Sequence, residues 1–314
     1  MKFNKLSSLL AMCLLLITTM FTAVPAHAQE PTQIAVEEMV ITPAGPMLKS
    51  HVFEVPSGSC IEETTNEIRV YASRYDAERG GNKILVIRKE QGKKDSVQPA
   101  AQGWIEDARN SASSIAEVGR FQANWTVPSS PPRFGGAGIC DFLFPGLQPD
   151  AGGKIIQPVL QYGHSDFGDY GKWYGASWYV SGGYSIHSPG ISTDVGHGIY
   201  GYMQYWSGAN PGWSIYFQDT WTGQATDLET LETTQPFSPY NVDAFIALEG
   251  YGVSGDIDVP GDTTFTSISF KNVAGGSIAV PLDRYYWPGW SGILTGLRVD
   301  ILDSNTKVIL NTAN

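Results

Sequence analysis

The stretch Lys154–Asp166, Lys-Ile-Ile-Gln-Pro-Val-Leu-Gln-Tyr-Gly-His-Ser-Asp, decides how the chain is interpreted. Its aliphatic and aromatic residues predict a strand. Because side chains alternate between the two faces of a strand, the amides of Gln157 and Gln161 share one face. A buried amide without a hydrogen-bond partner costs about 1–3 kcal/mol. These amides therefore either satisfy neighbouring groups on a wet surface or are held rigidly to bind a ligand, and this strand alone leaves both interpretations open.

Short apolar segments separated by turn residues surround this stretch on both sides. Trp173–Val180 carries aromatic residues on both faces, and Asp243–Tyr251 is strongly apolar. Leu297–Leu302 and Lys307–Leu310 predict a final hairpin. No long amphipathic helix and no fixed-period repeat is visible. Strands of this length and spacing predict an all-β fold, either a β-sandwich or a barrel.

The N-terminus has the pattern of a secretory signal peptide, which we place at residues 1–28. Lys2 and Lys5 form a basic region, Leu9–Ile17 is apolar, and the segment ends in Ala-His-Ala. The apolar run is too short to span a bilayer comfortably. We therefore expect a secreted protein, extracellular or periplasmic, with bacterial-type export favoured.

Composition divides the mature chain into two parts. Residues 29–119 hold most of the Lys and Arg residues and two plausible strands, Glu67–Ala72 and Lys83–Lys89. Residues 120–314 are rich in Gly, aromatic residues and short strands. We expect residues 120–314 to form the β-sandwich domain. The part before it is predicted to be either a small β module packed on the sandwich or a pro-segment that covers its cleft.

The net charge restricts the partners. The formal charge of the whole chain is −11, and removing the signal, with its two lysines and no acidic residue, makes it more negative. Phosphate binding needs a basic face, so nucleic acid is excluded as a partner. We expect a soluble monomer without a membrane partner. The basic run Lys83–Lys94 could dock on the acidic sandwich at neutral pH and leave when carboxylates are protonated.

Two cysteines remain after the signal, Cys60 and Cys140. In an oxidising compartment they can form one disulfide, although sequence alone does not establish the bond. A bond would tie the N-terminal part to the sandwich.

Few residues of the sandwich domain are candidates for catalysis. No zinc-binding pattern, paired-cysteine motif or Gly-x-Ser-x-Gly elbow occurs, and we expect no metal and no cofactor. The glutamates after Arg120 are Glu229, Glu232 and Glu249. The first two lie in a polar stretch, whereas Glu249 lies in an apolar strand, where its carboxyl loses hydration and its pKa should rise. A structural glutamate at a sheet edge is the competing interpretation.

The order of motifs after Phe121 resembles, remotely, that of the eqolisins, the secreted glutamic peptidases. The motifs are Asn-Trp-Thr-Val-Pro at 124–128, Ile-Gln-Pro-Val-Leu-Gln-Tyr-Gly at 156–163, Ala-Ser-Trp-Tyr-Val at 176–180, Val-Gly-His-Gly-Ile at 195–199 and a late Glu in an apolar strand. The resemblance implies a concanavalin A-like two-sheet β-sandwich of jelly-roll type. It spans roughly residues 121–270.

On this resemblance Gln161 matches the family's catalytic glutamine and Glu249 its catalytic glutamate. The chain departs from the family pattern in three places. Ser177 stands where the aromatic strand of the family carries a Glu, and His197 replaces the Asp of its turn. The surroundings of Glu249 are Leu-Glu-Gly-Tyr-Gly and not the family's Glu-Trp-Ile. The implied function is a secreted, acid-acting endopeptidase. Glu249 would be its general base, and the Gln161 amide would donate to the oxyanion.

The residues expected to bind a polypeptide substrate are Gln157, Asp166, Trp173, Trp178 and Tyr205. The alternative function is a non-catalytic, lectin-like β-sandwich that binds carbohydrate on an aromatic face. The two hypotheses differ in one requirement. A peptidase needs Gln161 and Glu249 to face one cavity, whereas a lectin needs only exposed aromatic residues.

Overall fold

The structure is a computed structural model, and it describes residues 38–89, 103–110, 117–133, 138–150, 152–167, 171–232 and 237–314. The predicted signal peptide and Lys93 and Lys94 lie outside these residues. The described residues from 38 onwards group into one compact unit. None of the described helices is long and apolar enough to cross a membrane.

Nearly all regular structure is β. A single short α-helix, α1, is present in the described residues and spans Arg74–Glu78; 3-10 turns occur at Lys49–His51, Asp256–Asp258, Pro288–Trp290 and Asp303–Asn305. The strands are β1 Met39–Thr42, β2 Gly45–Leu48, β3 Val52–Glu54, β4 Ser59–Glu63, β5 Glu67–Tyr71, β6 Lys83–Arg88, β7 Trp104–Arg109, β8 Arg120–Thr126, β9 Cys140–Pro149, β10 Lys154–Gly163, β11 Trp173–Ser181, β12 Tyr184–His187, β13 Ile191–Thr193, β14 Gly198–Trp206, β15 Gly212–Asp219, β16 Ala225–Leu231, β17 Val242–Tyr251, β18 Thr263–Lys271, β19 Ser277–Ile278, β20 Asp283–Tyr286, β21 Arg298–Leu302 and β22 Lys307–Asn311.

Two large sheets pack as a sandwich, which confirms the predicted fold class. The first sheet has the order β20-β7-β17-β9-β10-β11-β12-β3, with β13 beside β11. The second has the order β21-β22-β18-β8-β14-β15-β16-β4-β5-β6, with β19 beside β18. Pairing is antiparallel except where β3 joins β12 and β4 joins β16. A separate hairpin consists of β1 and β2.

Alternation along the strands separates two apolar clusters. The inter-sheet core draws side chains from both sheets, for example Leu160, Ile246, Trp125 and Phe217. The second cluster draws only on the first sheet and the segment before it. We call the surface of the first sheet that carries this second cluster its outer face. The inter-sheet core holds the sandwich together, and the outer face holds the candidate site.

The N-terminal part contributes strands to both sheets. β7 lies inside the first sheet between β20 and β17, while β3 lies at one end of that sheet and β4–β6 extend the second. The described strands before residue 120 therefore share hydrogen-bonded sheets with the strands after it. The basic run begins in β6, at the end of the second sheet, on a different sheet from Gln161 and Glu249. This placement argues against the prediction that the basic run covers a cleft that contains Gln161 and Glu249.

A buried ion cluster joins the N-terminal part to the sandwich between the two sheets. The Glu63 carboxylate on β4 accepts hydrogen bonds from the Tyr179 hydroxyl at 2.6 Å and the Ser181 hydroxyl at 2.9 Å. The ammonium of Lys154 lies 2.7 Å away and that of Lys89 also pairs with it. Burial alone raises the pKa of Glu63, but Lys154 and the hydrogen bonds outweigh it, so the pKa is lowered. Breaking such a buried pair typically costs about 3–5 kcal/mol.

The proposed disulfide is wrong, because both cysteines are buried free thiols. Cys60 packs with Tyr71, Ala77 and Leu231 on the second sheet, beside α1. Cys140 lies on the first sheet, in the cluster of the outer face. The two thiols belong to different sheets, and hydrogen bonding and ion pairing, as around Glu63, connect the N-terminal part instead.

Candidate functional site

Three neighbouring strands bring Gln161 and Glu249 onto one face. Both residues stand directly opposite Phe142: Gln161 on β10 pairs with it from one side and Glu249 on β17 from the other. Directly paired residues of antiparallel strands point to the same face. Two strand spacings separate their Cα atoms by about 10 Å. The phenyl ring of Phe142 therefore lies between the amide and the carboxyl on the outer face.

The Glu249 carboxyl is fully buried and has few partners. The Tyr251 hydroxyl donates to Oε1 at 2.5 Å, while Oε2 has no hydrogen-bond partner among the described residues. Burial raises the pKa of Glu249 well above its ordinary value, and the Tyr251 hydrogen bond opposes this only in part. Glu249 thus combines an oxygen that has no partner among the described residues with a raised pKa, a combination that is typical of a functional carboxyl.

The Gln161 amide is held by the loop that follows its own strand. Its Nε2 donates to the Ser165 hydroxyl, and its Oε1 has no partner in the described chain. Gly163 makes this loop possible, because its φ of +104° is unfavourable for other residues and a Cβ there would lie 2.3 Å from the Ile139 carbonyl oxygen. The turn at Gly163 therefore sets where Ser165 meets the amide.

A second polar row lies beside the first on the outer face. Gln157 stands opposite Trp178, whose ring packs at 4.5 Å from that of His187. Neither amide atom of Gln157 nor the Trp178 indole nitrogen has a hydrogen-bond partner in the part of the chain described. Unpaired buried polar atoms are rare in folded proteins, and each one calls for an explanation such as an ordered water, an ion or a functional role.

Asp166 lies at the edge of this row rather than in it. Its carboxylate contacts the His187 Nε2 at 3.2 Å and the Lys49 ammonium at 3.7 Å. The hydrogen bond from His187, helped by Lys49 and opposed by partial burial, lowers the pKa of Asp166. The loop that carries Ser165 is thereby linked to the turn that follows the hairpin β1–β2.

The hairpin β1–β2 packs on the outer face. Val40, Ala44 and Met47 are buried in the same apolar cluster as Phe142, and the Ser185 hydroxyl lies 3.1 Å from the Met47 sulfur. Gln161 is 1% exposed and Glu249 0%. A substrate cannot reach either side chain in this arrangement.

Two of the residues expected to bind substrate lie elsewhere, which corrects that part of the sequence interpretation. Trp173 alternates with Tyr174 on β11 and points into the inter-sheet core, where its indole nitrogen donates to Ser130 at 3.1 Å. Tyr205 belongs to the second sheet and packs edge-on against Trp213. Gln157 and Trp178 do share the outer face with Gln161 and Glu249.

Solved structures of eqolisin peptidases match the chain. Two structures of scytalido-glutamic peptidase, one with a transition state analog inhibitor and one with a peptide based transition state analog, align at TM-scores of 0.49 and 0.48 with 14% and 15% identity. SCP-B, a member of the eqolisin family of peptidases in a complex with the tripeptide Ala-Ile-His, aligns at a TM-score of 0.45 with 15% identity. Each match covers 67% of this chain and 98% of the other.

The remote resemblance predicted from the order of motifs is confirmed as a structural likeness. No family model matches the chain, and no curated protein matches its sequence. At these TM-scores the fold is established by the strand pairing of this chain itself, and the chemistry has to be argued from its own side chains.

Two residues of the site were not singled out by sequence reasoning. Tyr251 lies two positions after Glu249 on the same strand, so strand alternation alone could have identified it as a partner. Ser165 lies in a loop, where no periodicity gives the direction of a side chain. In the described ranges no group of three His, Cys, Asp or Glu side chains is arranged to hold a metal ion.

Proposed function

We propose that this protein is a glutamic endopeptidase in which Glu249 is the general base and Gln161 the oxyanion donor. The observation that carries the proposal is the shared face. An amide and a carboxyl flank Phe142 on one buried surface, each with a side-chain oxygen that has no partner in the described residues. A structural pair would be expected to use those atoms in hydrogen bonds.

The chemistry follows from the properties of the two groups. The Glu249 carboxylate takes a proton from a water molecule, which attacks the carbonyl carbon of the scissile peptide bond. The Gln161 Nε2–H donates to the tetrahedral oxyanion, since an amide is a donor that never ionises in this pH range. As the C–N bond breaks, Glu249 transfers its proton to the leaving amine.

Tyr251 and Ser165 position this pair. The Tyr251 hydroxyl stabilises the charged form of Glu249, and the Ser165 hydroxyl fixes the orientation of the Gln161 amide. Gln157 and Trp178 would offer their free polar atoms to the substrate backbone, and Asp166 would hold the loop beside them. A polypeptide lying along the outer face is the expected substrate.

The active form must differ from the closed one, because Glu249 is inaccessible under the present packing. We propose that the hairpin β1–β2 leaves the outer face before substrate binds. Hydration would then lower the pKa of Glu249 towards that of an ordinary carboxyl, so that a base is available in mildly acidic solution. Cleavage within residues 29–119, or simple displacement of the hairpin, would both achieve this. Secretion, with removal of residues 1–28, belongs to the same proposal.

The test is digestion of denatured casein between pH 2 and 7 by the full chain and by Glu249→Gln. We expect peptide release by the wild type in the acidic part of this range and a loss of about 10²–10⁴-fold in the variant, the usual contribution of a general base. Gln161→Ala should also lose activity. Equal release by wild type and Glu249→Gln would overturn the proposal.

A further inference from the structure

A second candidate binding site lies on the other sheet, on the side turned away from the inter-sheet core. A cavity of about 470 Å³ opens between α1, the end of β14 and β16. Its lining includes Arg74, Glu78, Trp206, Gly208, Asn210 and Glu229. This volume lies in the range of small-molecule sites. The cavity belongs to the second sheet and shares no residue with the proposed catalytic face.

The indole of Trp206 is exposed and rigidly held. It is 50% exposed at the end of β14, and its Nε1 donates to the Ser214 hydroxyl at 2.7 Å. Ser214 in turn donates to Glu229 Oε1 at 3.3 Å. Fixing a ring by its nitrogen while leaving half of its surface in water costs hydrophobic free energy. An indole held in this way has a fixed orientation and presents an open apolar surface on which a ligand can pack.

Other aromatic residues of the same face are arranged differently. Tyr202 stacks on Tyr216 with ring centres 4.9 Å apart, and the Arg120 guanidinium lies over the Tyr202 ring at 4.1 Å from its centre. These rings have their flat surfaces occupied. Trp206 has no ring or cation stacked on it in the described residues.

The polar groups of the cavity determine the kind of ligand. Arg74 pairs with Glu78 at 3.1 Å, lies 4.0 Å from Glu229 and donates to the Asn210 carbonyl oxygen. Two carboxylates and one guanidinium leave the lining with a net negative charge, which disfavours phosphate and other anions. Glu229 is part of this pairing, because its Oε1 accepts from Ser214 and its buried Oε2 is the oxygen that lies near the Arg74 guanidinium. Donors and acceptors beside a flat apolar ring suit a neutral molecule with many hydroxyl groups.

We propose that this cavity binds a neutral glycan, with a sugar ring packed on Trp206 and its hydroxyls hydrogen-bonded to Glu229, Glu78 and Asn210. This inference does not depend on the peptidase function. Glycan binding in this cavity would attach the protein to a polysaccharide. The cavity lies on a different sheet from Glu249.

The test is retention of the full-length protein on insoluble cellulose, chitin and starch, followed by fluorescence titration with the soluble oligosaccharide of whichever polymer retains it. We expect retention on at least one polymer and an affinity lowered at least about tenfold by Trp206→Ala. Glu229→Gln should weaken binding as well. The control is Trp221→Ala, which removes an indole that is 72% exposed but lies at the opposite end of the β14–β15 pair. Thermal melts of all variants establish that they fold.

Three results would overturn the proposal. The first is a lack of retention on every polymer. The second is an equal loss of glycan affinity in the Trp206 and Trp221 variants. The third is displacement of the glycan by hexalysine with an affinity as high as that of the glycan itself. The last result would assign the cavity to cationic peptides, which an indole and two carboxylates can also bind.

Discussion

At the scale of single residues, Glu249 depends on one hydrogen bond. The Tyr251 hydroxyl is its donor in the described structure, and that bond lowers a pKa that burial raises. Tyr251→Phe should therefore raise the pKa of Glu249 further. In the proposed mechanism Glu249 acts as a base only when it is deprotonated, so the acidic limb of the pH profile of kcat/KM should move to higher pH. Tyr285→Phe, at an exposed tyrosine, is the control. An unchanged limb, or one moved to lower pH, would contradict the assigned role of Tyr251.

Gly163 offers a second test at this scale. Gly163→Ala introduces both an unfavourable φ of +104° and a clash of 2.3 Å with the Ile139 carbonyl oxygen. We expect a loss of about 1–3 kcal/mol in the free energy of unfolding, measured by urea denaturation. Gly58→Ala is a matched control, since Gly58 has a φ of +81° and no atom within 4 Å of the added Cβ. If both variants lose the same amount, the clash at Gly163 contributes nothing.

The face on which a residue lies was predictable where the position of its side chain in the alternation of a strand is clear. Gln157, Gln161 and Glu249 lie in apolar strands, and their shared face was predictable from spacing and the order of motifs. Trp173 and Trp178 show the limit: β11 has large aromatic residues on both faces, so hydrophobicity does not reveal which face is turned to the other sheet. The directions of the Asp166 and Ser165 side chains depend on the turn of a loop and were not predictable from the sequence.

At the scale of elements, the hairpin β1–β2 is the proposed cover of the outer face. Met47 is buried on that face, so Met47→Lys places a charge in an apolar cluster at a cost of several kcal/mol. We expect the hairpin to detach, its amide hydrogens to exchange faster, and casein cleavage at pH 5 to rise. Met39→Lys is the control, because Met39 belongs to the same hairpin but is 49% exposed. A detached hairpin without any gain in activity would show that it is not the cover.

The elements themselves were predicted unevenly. Apolar strands such as β10 and β17 and the final hairpin of β21 and β22 were found nearly at their true bounds. β7 was missed because its sequence Trp-Ile-Glu-Asp-Ala-Arg carries three charged residues into the first sheet. The parallel pairings of β3 and β4 join residues distant in sequence, and no local pattern indicates such partners.

At the scale of the whole molecule, buried carboxyls make stability depend on pH. Burial raises the pKa of Glu106 to about 8 and that of Asp141 and Glu249 well above their ordinary values. Above about pH 4.5 the unfolded chain loses these protons while the folded chain keeps them, so the free energy of unfolding must fall as the pH rises towards 8. The pKa values of Glu63 and Asp219 are lowered in the folded chain. These two carboxyls therefore affect the free energy of unfolding only at lower pH, where their protonation destabilises the fold.

Thermal melts should accordingly give a higher Tm at pH 5 than at pH 8. Glu106→Gln should reduce this difference, because it removes one of the groups that bind a proton only in the folded chain. Glu54→Gln, at an exposed position, should leave the difference unchanged. A Tm that rises from pH 5 to pH 8 would contradict the assignment of neutral buried carboxyls.

The central claim is that Glu249 and Gln161 form one catalytic pair beneath the hairpin. The most direct measurement is kcat/KM for a casein-derived peptide, determined with Met47→Lys and with the double variant Met47→Lys, Glu249→Gln at the pH of highest activity. Met47→Lys, with an open outer face and an intact pair, should cleave the peptide. In the double variant, loss of the base should lower kcat/KM by about 10²–10⁴-fold. Equal rates in the two proteins, with both folded, would contradict the claim.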